Sequence, residues 1–171
     1  MSWLTAQRIA ARQGAMVARE ATRLDVSVIS LVANLPGIAV ERDDTLPVSG
    51  LTIWNRQHQT WIIRLRATDS PSRQRFTLLH EFKHVIDHNS GVHLYDPRYL
   101  NGQFQMEMAA DIFASTALMP TRLMQRLVKH EHYDAAEIAR TLRVSRDRVG
   151  LRLSDLNLQN ITDVHERRNS R

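Results

Sequence analysis

Residues 72–88 read SRQRFTLLHEFKHVIDH, and the fold of the rest of the chain is best worked out from this stretch. Phe76, Leu78, Leu79, Phe82, Val85 and Ile86 recur at helical spacing. Ser70-Pro71-Ser72 ahead of them is a good helix start, with proline in the first turn, and Asn89-Ser90-Gly91 is a good stop. The pattern predicts one helix over about 72–88. Inside it stands His80-Glu81-Phe82-Lys83-His84, an HExxH. Residues four apart lie on one helix face, so both imidazoles can reach one zinc ion. Glu81 is one step round the helix, placed to act on water at the metal rather than to be the usual third ligand. The flanking side chains are core-type, and a polar pair among them needs a partner because unpaired buried polar groups are costly.

A catalytic zinc site has three protein ligands and one open position. The next strongly helical stretch, predicted over about 104–118 and closed by Pro120, offers Glu107. It lies 23 positions past His84 (107 − 84), enough for a loop to bring a second helix alongside. Asp111 is four residues further on the same face and suits a carboxylate that accepts the free N–H of a ligating histidine. Ala109, Ala110 and Ala114 would let the two helices approach closely. His88 continues the face of His80 and His84, and reads as a helix-end residue rather than a fourth ligand.

Two longer strings carry a resemblance. Arg75-Phe76-Thr77-Leu78-Leu79-His80-Glu81-Phe82-Lys83-His84 is similar to RFTLAHELGH, and Glu107 through Ala114 followed by Leu118-Met119-Pro120 is similar to E-x-x-A-N-x-F-A with an L-M-P ending. Both are signatures of the ImmA/IrrE metallopeptidases, a gluzincin-like family. The chain departs from them at Lys83, where glycine is common, at Asp111, where asparagine is common, and at Leu79, which replaces a small residue. None of these removes a ligand. The resemblance implies a zinc peptidase whose substrate is a helix-turn-helix repressor or an antitoxin regulator.

Outward from the motif, 5–23 reads as a helix, and Asp25 could cap a second one running to Asn34 before Pro36-Gly37 stops it. Residues 38–42, 48–54 and 60–65 are β-rich, the last two joined by a hairpin loop at 55–59. A small antiparallel sheet is predicted, with 60–65 as the strand that would hold an extended peptide. Residues 92–102 read as a loop, whose His93, Tyr95 and Tyr99 are candidate donors to an oxyanion. Shorter helices are expected near 122–130, 135–142 and 146–153. The fold class is therefore α+β: a mostly helical, zincin-like region over 1–131, a helix-turn-helix-like segment over 132–158 and a polar tail over 159–171.

Composition narrows the function further. With 171 residues and 43% apolar side chains, the chain can bury a core without a metal to fold it. It has no cysteine, so thiolate clusters and disulfides are excluded and a metal site must use His, Asp and Glu. No apolar run is long enough for a membrane span, and the N-terminus does not read as a secretory signal, so a cytoplasmic protein is expected. The net charge of +5 rests almost wholly on arginine. Arg143, Arg146, Arg148 and Arg152 would line one side of the C-terminal segment, which opens two rival readings. The chain could be a DNA-binding regulator, or a non-catalytic metal protein that acts by binding a partner. An intact Glu81 argues for catalysis over the latter, since a structural zinc needs no base beside it. Salt-dependent binding to duplex DNA would favour the former.

Overall fold

The computed structural model describes residues 2–88, 94–95, 102–129 and 133–159. It divides into two compact units, Met1–Ala117 and Leu118–Arg171. Helix α1 (Trp3–Arg23) opens on Ser2, whose side chain accepts from the Thr5 N–H. It ends with Leu24 and Asp25. Asp25 takes φ +53°, Val26 N–H bonds Ala21 O at 3.0 Å and Asp25 N–H bonds Thr22 O at 3.3 Å. This is a Schellman ending, with aspartate tolerating the left-handed position. Asp25 thus closes α1 instead of capping the next helix, as its sequence context suggested. Ser27 is the cap of α2 (Val28–Ala33), accepting from Ser30 N–H.

Gly37, at φ +77°, turns the chain into β1 (Ile38–Asp43), followed by β2 (Gly50–Asn55) and β3 (Thr60–Arg66). The predicted hairpin joins β2 to β3, and Asn55 Oδ1 organises its loop by accepting from Gln57 N–H and His58 N–H. The sheet is mixed, not antiparallel throughout. Its order is β1-β3-β2, with β1 parallel to β3 (Ile38 opposite Trp61) and β2 antiparallel to it (Thr52 opposite Ile63, Trp54 opposite Trp61). The reason is burial: β3 carries the fully buried Ile63 and Leu65, so it takes the centre, and residues 44–49 carry the chain from one edge to the other.

The helix side of the sheet packs on α3 (Pro71–Asp87), which starts at Ser70 and Pro71 as expected. After the loop comes α4 (Gly102–Leu118). Phe76, Leu78, Leu79 and Phe82 of α3 are buried, as are Ala109, Ala110, Phe113 and Ala114 of α4, and the Phe82 and Phe113 rings lie 6.1 Å apart. The far side of α4 meets α1, whose buried stripe is Ala6, Ala10, Gly14, Ala18 and Ala21. A Cβ on Gly14 would fall 2.5 Å from Phe113 O and 3.1 Å from Thr116 Cβ. In an exposed helix, Gly→Ala gains about 1 kcal/mol. Here Gly14→Ala is expected to destabilise by about 1–3 kcal/mol, because the obstacle is backbone. A denaturant midpoint at or above that of the wild type would show that the two helices can separate freely.

The second unit contains α5 (Thr121–Lys129), α6 (Ala135–Leu142) and α7 (Arg146–Asp155). Asp134 and Glu137 form a reciprocal capping box on α6. Arg143 ends α6 at φ +54°, a conformation in which glycine would cost less, and Ser145 caps α7. Ile138, Ala139, Val144, Val149 and Leu153 are buried in the pattern expected of a helix-turn-helix-like pair. Arg152 does not join the expected basic line. It turns inward, 8% exposed, and its Nε–H donates to Met119 O at 3.1 Å. The last turn of α5 carries Arg126 and Lys129 near its carbonyl end. Among the described residues, no helix is long and apolar enough to cross a membrane.

Candidate metal centre

His80 and His84 face out of α3 one turn apart, with their Nε2 atoms 3.2 Å from each other. Glu107 reaches them from α4: Oε2 is 3.0 Å from His80 Nε2 and Oε1 is 3.5 Å from His84 Nε2. Ligand atoms at about 2.0–2.1 Å in a tetrahedral site lie roughly 3.3 Å from one another. The two imidazole nitrogens are near that separation, and one atom from each of the three residues lies within 4.8 Å of the others, so the cluster is compact enough to close on a single ion.

Proton placement supports the same conclusion. His80 Nδ1 lies 2.9 Å from Asp111 Oδ1, an acceptor, so this nitrogen carries a proton. In a neutral ring Nε2 is then a lone pair, directed at a carboxylate oxygen and a second imidazole nitrogen. Acceptors converge on a point that calls for a cation. Such a setting favours a second proton on the ring, and the His80 pKa moves accordingly. Burial pulls it down, but the Asp111 hydrogen bond and the charges of Asp111, Glu107 and Glu81 outweigh burial and raise it above its usual value. The His84 pKa goes the other way, lowered by burial and by the neighbouring His80.

A metal must displace the His80 proton. Because that pKa lies above the ordinary ~6.5, competition begins above pH ~6.5 and strengthens as pH falls. Zinc titrations just above that pH are expected to release a proton, and Asp111→Asn should reduce both the release and the affinity, the latter by about 10–100-fold. Calorimetry in buffers of different ionisation enthalpy reads the proton count. Equal release from both proteins would mean that Asp111 does not hold the ring.

Glu81 sits beside this cluster and is buried. Its carboxylate is held from the sheet: Thr52 Oγ1–H donates to Glu81 Oε2 at 2.9 Å. Gly50, at the start of β2, makes room for it. A Cβ there would collide with Thr77 Cγ2 and lie 3.1 Å from Glu81 Cγ. Neither Thr52 nor Gly50 was singled out by the sequence, where they stand about 30 positions from the motif with no spacing that marks them.

Three further residues complete the surroundings. Lys83, inside the motif, is 1% exposed and points into the core, where its Nζ–H donates to Asp87 Oδ2. Tyr95 is also buried and gives its hydroxyl proton to the same oxygen, with its Oη 3.5 Å from Lys83 Nζ. Tyr95 is therefore engaged with Asp87, while the other two suggested oxyanion donors, His93 and Tyr99, lie outside the described residues. His88 caps the end of α3, its ring edge-on to Trp61 at 4.6 Å.

Residues 21–154 match the family model of the IrrE N-terminal-like domain, peptidase family M78. The chain belongs to that family. Membership in the IrrE N-terminal-like family makes it a relative of metallopeptidases, and the His80, His84 and Glu107 cluster is the candidate metal site that goes with it. Among solved structures, the chain is similar to a Mycobacterium tuberculosis transcriptional regulator, at 19% identity with a TM-score of 0.67. The likeness covers 84% of this chain and 46% of the regulator, so the chain spans just under half of that relative's length. It concerns the fold. No curated protein matches the chain.

Proposed function

We propose that this IrrE N-terminal-like protein is a zinc-dependent endopeptidase of the cytoplasm. The observation that carries the reading is the convergence of His80, His84 and Glu107 within 4.8 Å of one another, with the buried Glu81 beside them. Zinc held there would supply Lewis acidity toward water and the scissile carbonyl. Glu81 takes a proton from the attacking water and passes it to the leaving amine. Thr52 keeps the Glu81 carboxylate aimed, and Asp111 keeps His80 in the tautomer that offers Nε2.

The substrate chain is taken up as an extra strand on β2. Residues 60–65, the run nearest the motif in sequence, do not serve, because β3 is hydrogen-bonded on both sides and has no free edge. β2 is an edge strand, its Thr52 donates to the Glu81 carboxylate, and its Gly50 leaves room for that side chain. The substrate we favour is a helix-turn-helix repressor or an antitoxin regulator. Two facts are in keeping with this: the solved relative is a transcriptional regulator, and the second unit carries a helix-turn-helix-like pair suited to meeting a protein of that kind.

Elemental analysis of purified protein tests the metal. About one zinc per chain is expected in the wild type and none in His84→Ala. A wild type that stays metal-free after zinc is added would end the peptidase reading and shift the weight to a DNA-binding regulator.

A further inference from the structure

We infer that the metal cleft contains a subsite for one large apolar or aromatic side chain of the substrate, with Trp61 as its floor. The inference rests on the peptidase reading above and adds what kind of residue the enzyme selects. The cleft that holds Glu81, His84 and Glu107 has a volume of about 720 Å³ and continues past them. Beyond the metal ligands its walls change character. On one side stand Trp61 and His88, stacked edge to face at 4.6 Å, and on the other stands Met106 of α4. Trp54 extends the aromatic side, its ring 5.1 Å from that of Trp61. It is 41% exposed, on the edge strand itself.

Strand geometry connects this patch to the reaction centre. Side chains two apart on a strand share a face, about 7 Å from each other. Thr52 meets Glu81, and Trp54, two residues on, therefore faces the same way, beside its cross-strand partner Trp61. A peptide paired with β2 has one residue at the level of Thr52, where the chemistry occurs. The peptide residue two positions away lies beside Trp54 on the same face, with Trp61 one strand further in, where a long side chain leaning over Trp54 reaches it.

The lining dictates what that residue is. The cleft offers the Trp61 indole, an imidazole edge, Leu51 and a thioether, with the Gln103 amide beside them and the Trp54 indole at the margin, and these give mainly dispersion and ring contacts. The nearby carboxylates of Glu81 and Glu107 repel an acidic side chain. Asp87 also borders the cleft, but its carboxylate is already held by Lys83 and Tyr95, so it is not an open partner for a basic one.

The test uses zinc-loaded protein and a set of tripeptide hydroxamates, in which a single phenylalanine is moved along a glycine background. The hydroxamate anchors each probe at the metal, so binding is read without turnover. Phenylalanine at one position is expected to tighten binding roughly tenfold or more over the all-glycine probe. Trp61→Ala should erase that gain while leaving the all-glycine affinity unchanged. Met106→Ser, on the opposite wall, should reduce it and serves if Trp61→Ala does not fold. Equal affinities for all positions in the wild type overturn the subsite while the metal centre stands. Failure of even the all-glycine probe, together with absence of zinc by elemental analysis, overturns the peptidase reading and the subsite with it.

Discussion

Glu81→Gln is expected to lower peptide hydrolysis by about 10²–10⁴-fold while the protein keeps its metal. Glutamine has the shape of glutamate and can still accept the Thr52 hydrogen bond, so the side chain should stay where it is. What it loses is the ability to take a proton. Because Glu81 is not among the three clustered donors, metal content should not change. Rate and metal content measured on the same preparations separate the possibilities. A rate within a few-fold of the wild type would remove Glu81 from the proton-transfer role. Loss of metal along with activity would place it among the ligands.

The second large effect concerns stability. Lys83→Met should destabilise the protein by about 3–5 kcal/mol, as expected when one partner of a buried ion pair is removed. Methionine fills much of the same space, so the cost is not a cavity. It is the Asp87 carboxylate, 3% exposed and left with the Tyr95 hydroxyl as its remaining donor among the contacts described. Lysine here is itself a compromise: burial lowers its pKa, against the pull of Asp87. Lys83→Met combined with Asp87→Leu should recover most of the loss, because the pair then leaves no charge behind. Urea midpoints of the wild type and the two variants decide it. A single mutant as stable as the wild type would mean that water reaches Asp87.

These two predictions differ in how far the sequence alone could lead to them. Glu81 follows from local rules. The spacing of His80 and His84 on one helix puts it beside a metal, and Ser70 and Pro71 locate the start of that helix. The match of Glu107 to the site needed one assumption, that the loop returns a second helix alongside the first. Lys83 was visible only as a departure from a glycine. That its amine meets Asp87 four residues on is a helical spacing, but its direction into the core depends on which face α4 and the sheet cover. The expectation of a purely antiparallel sheet, with 60–65 open to a peptide, fails for the same reason. Three β-rich runs look alike in sequence, and burial of Ile63 and Leu65 decides which is central. Asp25 was misread because aspartate suits both the start of one helix and the left-handed end of another. Thr52 and Gly50 touch Glu81 only through strand-to-helix packing, for which no sequence interval exists.

The extent of the family match and the limits of the packed unit do not coincide. The matched segment begins at residue 21, whereas Gly14 of α1 lies against Phe113, Thr116 and Ala117 of the helix that brings Glu107 to the histidines. The first helix thus acts as a splint for half of the metal site. A fragment cut at the family boundary would bare that face of α4, and the apolar surface released would favour self-association over a working centre. Sequence kinship alone would place the gene fragment to be expressed about twenty codons too late.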